Sequence, residues 1–223
     1  MTDVRGCRIL HSNEDFLVVY KPDGMSFHAE SGEVGFIESL YNMTSYTELF
    51  PVHRLDKMTS GLCLVALHKS AAQTFGRLFE ARLVQKMYVA VSEKKPKKKQ
   101  GIIKGGMSPS RRGQWKLTQE LNNVAETRFS SCSLMPGKRL YFLAPKTGKT
   151  HQLRVAMKSI GAPILGDKRY GGGEAERGYL HACYLSFHWN DSVHSYFQLP
   201  DERGDFNVIS NNLIEHYFQE NHD

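Results

Sequence analysis

Strand-like apolar runs make up most of the hydrophobic pattern of this chain, broken at four places by the longer spacing of a helix. The segment "RILHSNEDFLVVYKPDGMSF" (8–27) predicts strand, turn, strand: "SNED" supplies turn residues, "FLVVY" is β-rich and "KPDG" ends it. "GFIESLYNM" predicts a short helix, and "FPVHRLDKMTSG" a loop feeding "LCLVALH", an apolar run that suits a buried strand. Ser70 is the expected N-cap of a helix running to about Leu83, with Phe75, Leu78, Phe79 and Arg82 at helical spacing. "KMYVAVS" alternates as a strand, "AETRFSSCSLM" and "RLYFLAPK" predict an antiparallel pair across "PGK", and the stretch between them an exposed hairpin or loop.

Next, "TGKTHQLRVAMKSIG" predicts a helix of about ten residues with Thr150 as N-cap and Gly161 as its stop. Leu153, Met157 and Ile160 fall on one face of it and His151, Arg154 and Lys158 on another, giving a core face and a cationic face. "APILGDKRYGGG" is a glycine-rich loop, "YLHACYLSFHW" and "HSYFQL" are strands, and "FNVISNNLIEHYF" is a closing amphipathic helix. Strands and helices mixed without regular βαβ alternation predict a single α+β domain over 1–223, built on a largely antiparallel sheet.

At 223 residues and 40% hydrophobic content, the chain is long enough to bury a sizeable core. No run approaches the length of a membrane span, and the N-terminus lacks the apolar stretch of a secretory signal, so a cytoplasmic protein is expected. Cys7, Cys63, Cys132 and Cys183 lie far apart, and the ten histidines show no ligand spacing; reduced thiols and no metal are expected. No phosphate-binding glycine motif is present, which weighs against a nucleotide cofactor.

Charge is unevenly placed. Residues 94 to 116 hold nine cations (Lys94, Lys95, Lys97, Lys98, Lys99, Lys104, Arg111, Arg112, Lys116) and no acid; setting these nine aside turns the +6 of the whole chain into −3. Such local basicity suits a surface that grips a polyanion.

The densest chemistry is "HRLDKMTSG" (53–61), where one carboxylate, Asp56, lies between Arg54 and Lys57. An aspartate in a turn ordinarily bonds its own backbone; taken alone, Tyr88, His151 and His181 fit structural roles, and Arg154 fits a side chain that simply faces solvent. Taken together, "ILHSNEDFLVVYKPDG", "HRLDKMTSG", "KMYVAV", "AET" (125–127), "TGKTHQLRV", "GAPILGDKRYG" and "LHACYLSF" occur in an order and spacing that closely resembles the RluA-type pseudouridine synthase family over nearly the whole chain.

That resemblance implies a cofactor-free and metal-free isomerase of RNA. It breaks the C1′–N1 bond of a uridine, turns the freed uracil and rejoins it through C5. It implies Asp56 as the catalytic carboxylate, Tyr88 as the ring on which the base packs and a proton acceptor, and Arg154 as the partner of Asp56. It also implies substrate contacts from His53, Arg54, Leu153 and Leu180, with Arg54 helping to flip the base. Lys94, Lys95, Lys97, Lys98, Lys99, Arg111 and Arg112 are expected to meet RNA backbone, Lys57 to meet phosphate, and Thr59 and Ser60 to brace the turn.

Physical chemistry agrees with these roles. A guanidinium keeps a neighbouring carboxylate ionised and oriented, and an aromatic floor holds a uracil without directional bonds that would stop it turning. One position departs from the family pattern: Ala156 stands where "THQLRV" is commonly followed by His. The first strand begins within ten residues of Met1, so no separate S4-like RNA-binding domain is expected ahead of it. The expected partner is ribosomal or transfer RNA, bound by a monomer. Two other readings are a catalytically silent RNA-binding or RNA-folding protein on the same scaffold, and a carboxylate hydrolase of nucleosides or sugars with Asp167 as its second acid.

Overall fold

The computed structural model describes residues 6–30 and 32–214. Among them, eleven strands form one sheet in the order β1-β2-β4-β10-β5-β9-β8-β6-β7, with β3 and β11 pairing off this path. Every pairing is antiparallel except the two-residue contact between β4 and β10. The α+β, largely antiparallel expectation holds.

The first hairpin, β1 (Arg8–Ser12) and β2 (Phe16–Lys21), turns where Asn13 Oδ1 accepts the N–H groups of Asp15 and Phe16 at 2.9 and 2.8 Å. All residues of β2 and of β4 (Ser60–Ala66) are buried, because both faces are covered. Leu17, Val19, Cys63 and Val65 pack with Phe36, Ile37 and Leu40 of α1 (Phe36–Met43). The alternate residues Phe16, Val18, Leu62, Leu64 and Ala66 pack with Ala71 and Phe75 of α2 (Lys69–Glu80). Phe75 stacks on Trp189 at 4.2 Å and meets Phe16 and Phe187 edge-on; emptying that position leaves a cavity costing about 3–5 kcal/mol.

The second half is antiparallel but not sequential. β5 (Gln85–Ser92) lies between β9 (Lys138–Pro145) and β10 (Leu180–Trp189), and β8 (Val124–Met135) continues through β6 (Gln100–Pro109) to β7 (Trp115–Thr118). β3 (Phe50–Pro51) and β11 (Ser192–Phe197) are short partners of β4 and β10. α3 (Gln152–Ser159) sets Leu153, Ala156 and Met157 into the core between these strands.

Several boundaries differ from the sequence pattern. α2 is capped by His68, whose Nδ1 accepts the Ala71 N–H at 3.2 Å, because the Ser70 hydroxyl is turned to that same nitrogen; the helix ends at Glu80, with Arg82 left-handed beyond it. α3 starts one residue later than a Thr150 cap implies, with His151 left-handed at φ +56, while Gly161 does follow its end. The basic stretch takes the hairpin form. Strand β4 already begins at Ser60, since Gly61 at φ +115 lets β4 touch β10; a Cβ there would run into the Ala182 backbone. The predicted closing helix begins as a 3₁₀ turn, Gly204–Val208, and its last residues lie outside the described ones.

Candidate active site

A cleft of about 760 Å³ opens where β4 parts from its neighbours. One edge of β4 pairs with β10 at Ser60 and Gly61 and with β3 at Pro51 and Phe50, leaving a gap between. In that gap His53 Nε2 accepts the Leu64 N–H at 2.8 Å, replacing a strand partner, and the ring stacks on Phe79 at 5.0 Å. Burial, aided by the charge of Lys86, lowers the His53 pKa to about 3, so the ring stays neutral and able to accept. His53 lines the cleft, but the nitrogen facing β4 is already used.

The loop after it, carrying Arg54, Leu55 and Asp56, hangs over a buried lysine. Lys21 Nζ donates to the carbonyls of Pro22 and Thr59 at 2.9 Å and of Asp56 at 3.3 Å, and Thr59 N–H closes the turn onto Asp56 O at 3.0 Å. Burial lowers the Lys21 pKa to about 8, which leaves the ammonium charged at neutral pH and bound to four carbonyls, that of Lys57 included. Ser60 anchors the other end: Arg177 donates to its Oγ at 2.7 Å, and Oγ lies 2.9 Å from His181 Nδ1. His181 Nε2 reaches the Gln198 carbonyl at 2.9 Å, so Nδ1 accepts and the serine hydroxyl donates. Ser60 and His181 are both fully buried, so this pair braces the loop rather than offering a nucleophile.

Burial above all lowers the His181 pKa to about 4. The unfolded chain takes up a proton near the ordinary value of 6.5 while folded His181 stays neutral, so stability is complete above that value and falls as pH drops toward 4. The slope from this residue is about 1.4 kcal/mol per pH unit. Urea unfolding at pH 7 and pH 5 is expected to show the loss, and His181→Gln a shallower dependence; equal slopes would remove His181 from the linkage.

From α3, 98 positions away, Arg154 reaches Asp56: Nη1 donates to Oδ2 at 3.3 Å. Its other side is held by Asp167, with Nε to Oδ2 and Nη2 to Oδ1 both at 2.7 Å, and its face lies over the Tyr170 ring at 4.8 Å. Arg154 is 8% exposed and Asp167 2%. Burial opposes the charge, but the bonds and charges of Asp167 and Asp56 outweigh it and raise the Arg154 pKa. A guanidinium clamped bidentately by one carboxylate presents its remaining edge to the second in a fixed direction. The left-handed Gly166 beside Asp167 is set where a Cβ would strike the Arg177 carbonyl.

Gln152 ties the cleft wall together. Its Oε1 accepts from the Thr147 hydroxyl at 2.7 Å and the Lys149 N–H at 2.9 Å, while Nε2 donates to Glu126 O and Thr127 Oγ1. Tyr88, partly buried on β5, lines the cleft with Leu153 and Leu180. Burial first, then negative groups that include Asp56, push the Tyr88 hydroxyl pKa up, so it is protonated at neutral pH.

Asp56, Tyr88, Arg154, Arg54, His53, Leu153 and Leu180 thus all line one cleft. Lys94, Lys95, Lys97, Lys98 and Lys99 do not: they follow Ser92 at the far end of β5, where Tyr141 and Ser131 hold the carbonyls of Lys94 and Lys99. Arg111 and Arg112 form an exposed turn leading into β7, outside the lining but beside Arg169. Lys57 pairs with Glu33 at 3.7 Å on the surface. The cationic face predicted for α3 is folded over Tyr170, with Lys158 at 5.7 Å from that ring. Ala156 is buried in the core and does not line the cleft. Sequence reasoning missed Lys21, Lys86 and the clamp role of Asp167; the alternation that places Lys86 two residues before Tyr88 was the available signal for the second. Among the described residues no group of three or more His, Cys, Asp and Glu side chains is arranged to hold a metal.

The RNA pseudouridylate synthase family profile matches residues 15–159. An uncharacterized RNA pseudouridine synthase of Haemophilus influenzae is 45% identical over 196 residues, covering 87% of this chain and 88% of the relative. Ribosomal large subunit pseudouridine synthase C of Rickettsia bellii is 30% identical over 191 residues, covering 83% of this chain and 62% of the longer relative. In structure, human RNA pseudouridylate synthase domain containing 1 superimposes with a TM-score of 0.77 at 22% identity over 96% of this chain and 94% of the other, a likeness of fold. Motifs, cleft and matches agree: this chain belongs to the RluA-type RNA pseudouridine synthase family, isomerases that convert uridine to pseudouridine in RNA.

Proposed function

We propose that this chain isomerises a specific uridine of ribosomal RNA, with transfer RNA as the alternative substrate, and that Asp56, Arg154 and Tyr88 carry the reaction. The observation behind this reading is the Asp56–Arg154–Asp167 bridge at the side of a cleft with Tyr88, Leu153 and Leu180 in its wall. Asp56, oriented by Arg154, acts on the ribose to release uracil from C1′; the base turns against the Tyr88 ring; C5 then bonds to C1′, and the proton lost from C5 is balanced by one gained at N1. Mass is unchanged. Arg54 at the mouth helps hold the nucleotide flipped, at a stacking cost of about a few kcal/mol offset by phosphate contacts. Relatives named for the ribosomal large subunit favour ribosomal RNA. The reading includes a cytoplasmic monomer without metal or cofactor.

Pseudouridine mapping of ribosomal and transfer RNA from cells with and without the protein tests the assignment. One or a few ribosomal positions are expected to lose pseudouridine; loss confined to transfer RNA would move the substrate, and no loss anywhere would end the reading. Tyr88→Phe keeps the ring and removes the hydroxyl, so lower turnover at unchanged RNA affinity is expected; wild-type rates would take the hydroxyl out of the chemistry. Alanine at Lys94, Lys95, Lys97, Lys98 and Lys99 together is expected to weaken RNA binding and flatten its salt dependence while leaving the rate on bound RNA unchanged, because the run lies away from the cleft. An unchanged salt slope would show that these lysines meet only solvent.

A further inference from the structure

Tyr170 decides where His151 carries its proton. The Tyr170 side chain is buried, and its hydroxyl oxygen lies 2.8 Å from the backbone nitrogen of Trp115 and 2.8 Å from His151 Nδ1. A backbone N–H can only donate, so the oxygen accepts from Trp115, and its single hydrogen goes to Nδ1. The reverse arrangement would aim two N–H groups at one oxygen and strand the hydroxyl proton in the interior, at a cost comparable to a lost hydrogen bond. With Nδ1 accepting, the neutral imidazole carries its hydrogen on Nε2.

His151 lines the cleft, and its backbone sits at φ +56, a strained conformation for a residue without glycine's freedom. It is held there as the first carbonyl of α3, accepting from Val155 at 3.0 Å. Burial foremost lowers the tendency of the ring to take a second proton. The charges around it are mixed: the carboxylates Asp56 and Asp167 act on the ring against the guanidinium groups of Arg154 and Arg169, and both carboxylates are already bonded to Arg154. Arg154 lies over the same Tyr170 ring; Arg169 is held through its carbonyl by Gln114 Nε2 at 2.6 Å; the Arg111–Gly113 turn lies alongside. The apolar side chains fit to receive a base, Tyr88, Leu153 and Leu180, are a separate set.

We infer that His151, fixed by Tyr170 as its Nε2–H tautomer, donates a hydrogen bond to a non-bridging phosphate oxygen of the RNA strand entering the cleft, an assignment that rests on the cleft being an RNA site. Tyr170 is then a positioning residue that also ties the β6–β7 hairpin to the Asp56–Arg154–Asp167 cluster through Trp115.

The test is ¹⁵N-histidine NMR of the full chain, with the His151 signals assigned by their loss in His151→Asn, since asparagine tolerates the left-handed backbone. The free protein is expected to show Nε2 protonated and Nδ1 bare, and Tyr170→Phe a mixture of tautomers. At saturation, pentauridylate is expected to shift Nε2, whereas a pentauridylate with methylphosphonate linkages leaves it in place; His151→Phe is expected to weaken pentauridylate about tenfold. A bare Nε2 in the free protein, an equal shift with the uncharged analogue, or saturation by pentauridylate without a shift would each overturn the phosphate assignment while leaving the cleft's RNA reading intact. No binding of pentauridylate at all would overturn both.

Discussion

Asp56→Asn is expected to lower single-turnover pseudouridine formation by about four orders of magnitude or more while RNA affinity changes by less than a few-fold. Asparagine has the same shape but no negative charge and no capacity to attack or deprotonate a sugar carbon. The fold is expected to survive: the Asp56 side chain has Arg154 as its ion-pair partner, and Arg154 keeps two 2.7 Å bonds to Asp167 when that contact weakens. The loop itself is held by its backbone, through Thr59 and the carbonyls around Lys21, and these do not sense the substitution. The measurement is carbodiimide labelling of RNA incubated with excess protein, alongside a filter-binding titration. Turnover within tenfold of wild type would remove Asp56 from the chemistry.

Arg154→Ala is expected to act on both stability and rate. It leaves Asp167, only 2% exposed, as a buried carboxylate without its bidentate partner, at a cost of about 3–5 kcal/mol in unfolding free energy. Turnover on bound RNA is expected to fall by about two to three orders of magnitude, because Asp56 loses the donor that orients it, while affinity falls far less. Arg154→Lys does not restore the rate: an ammonium cannot grip Asp167 with two parallel bonds and face Asp56 at once. Urea unfolding and single-turnover kinetics separate the two effects. Equal losses in rate and RNA affinity would reduce Arg154 to a phosphate contact.

Much of this was legible in the sequence because it depends on short-range pattern. The strands with period-two or unbroken apolar runs, β2, β4, β5, β8, β9 and β10, are found where the pattern puts them, as is α1. Asp56, Tyr88 and Arg154 were named from motifs carried on three separate elements, and the fold brings all three to one cleft. What the sequence hid is what depends on long-range geometry. The clamp role of Asp167 follows from the turn at Gly166 and from the direction of α3, neither of which leaves a periodic signal. Lys21 looked like a turn residue and proved to be the buried cation beneath the loop that carries Asp56. His53 looked like a substrate contact, and one of its ring nitrogens serves the open edge of β4. The lysine run was read for its charge alone, and only strand direction shows that β5 carries it away from the cleft. The α3 boundary slipped because a left-handed histidine, rather than a threonine side chain, starts the helix.

The most direct measurement is made on ribosomal RNA from cells lacking this protein, incubated with the purified chain and mapped for pseudouridine at single-nucleotide resolution while the supernatant is assayed for uracil. Conversion of uridine at one or a few fixed positions, with no uracil released and no conversion by Asp56→Asn, is the expected result. Bound RNA with every uridine intact, or free uracil in solution, would contradict it.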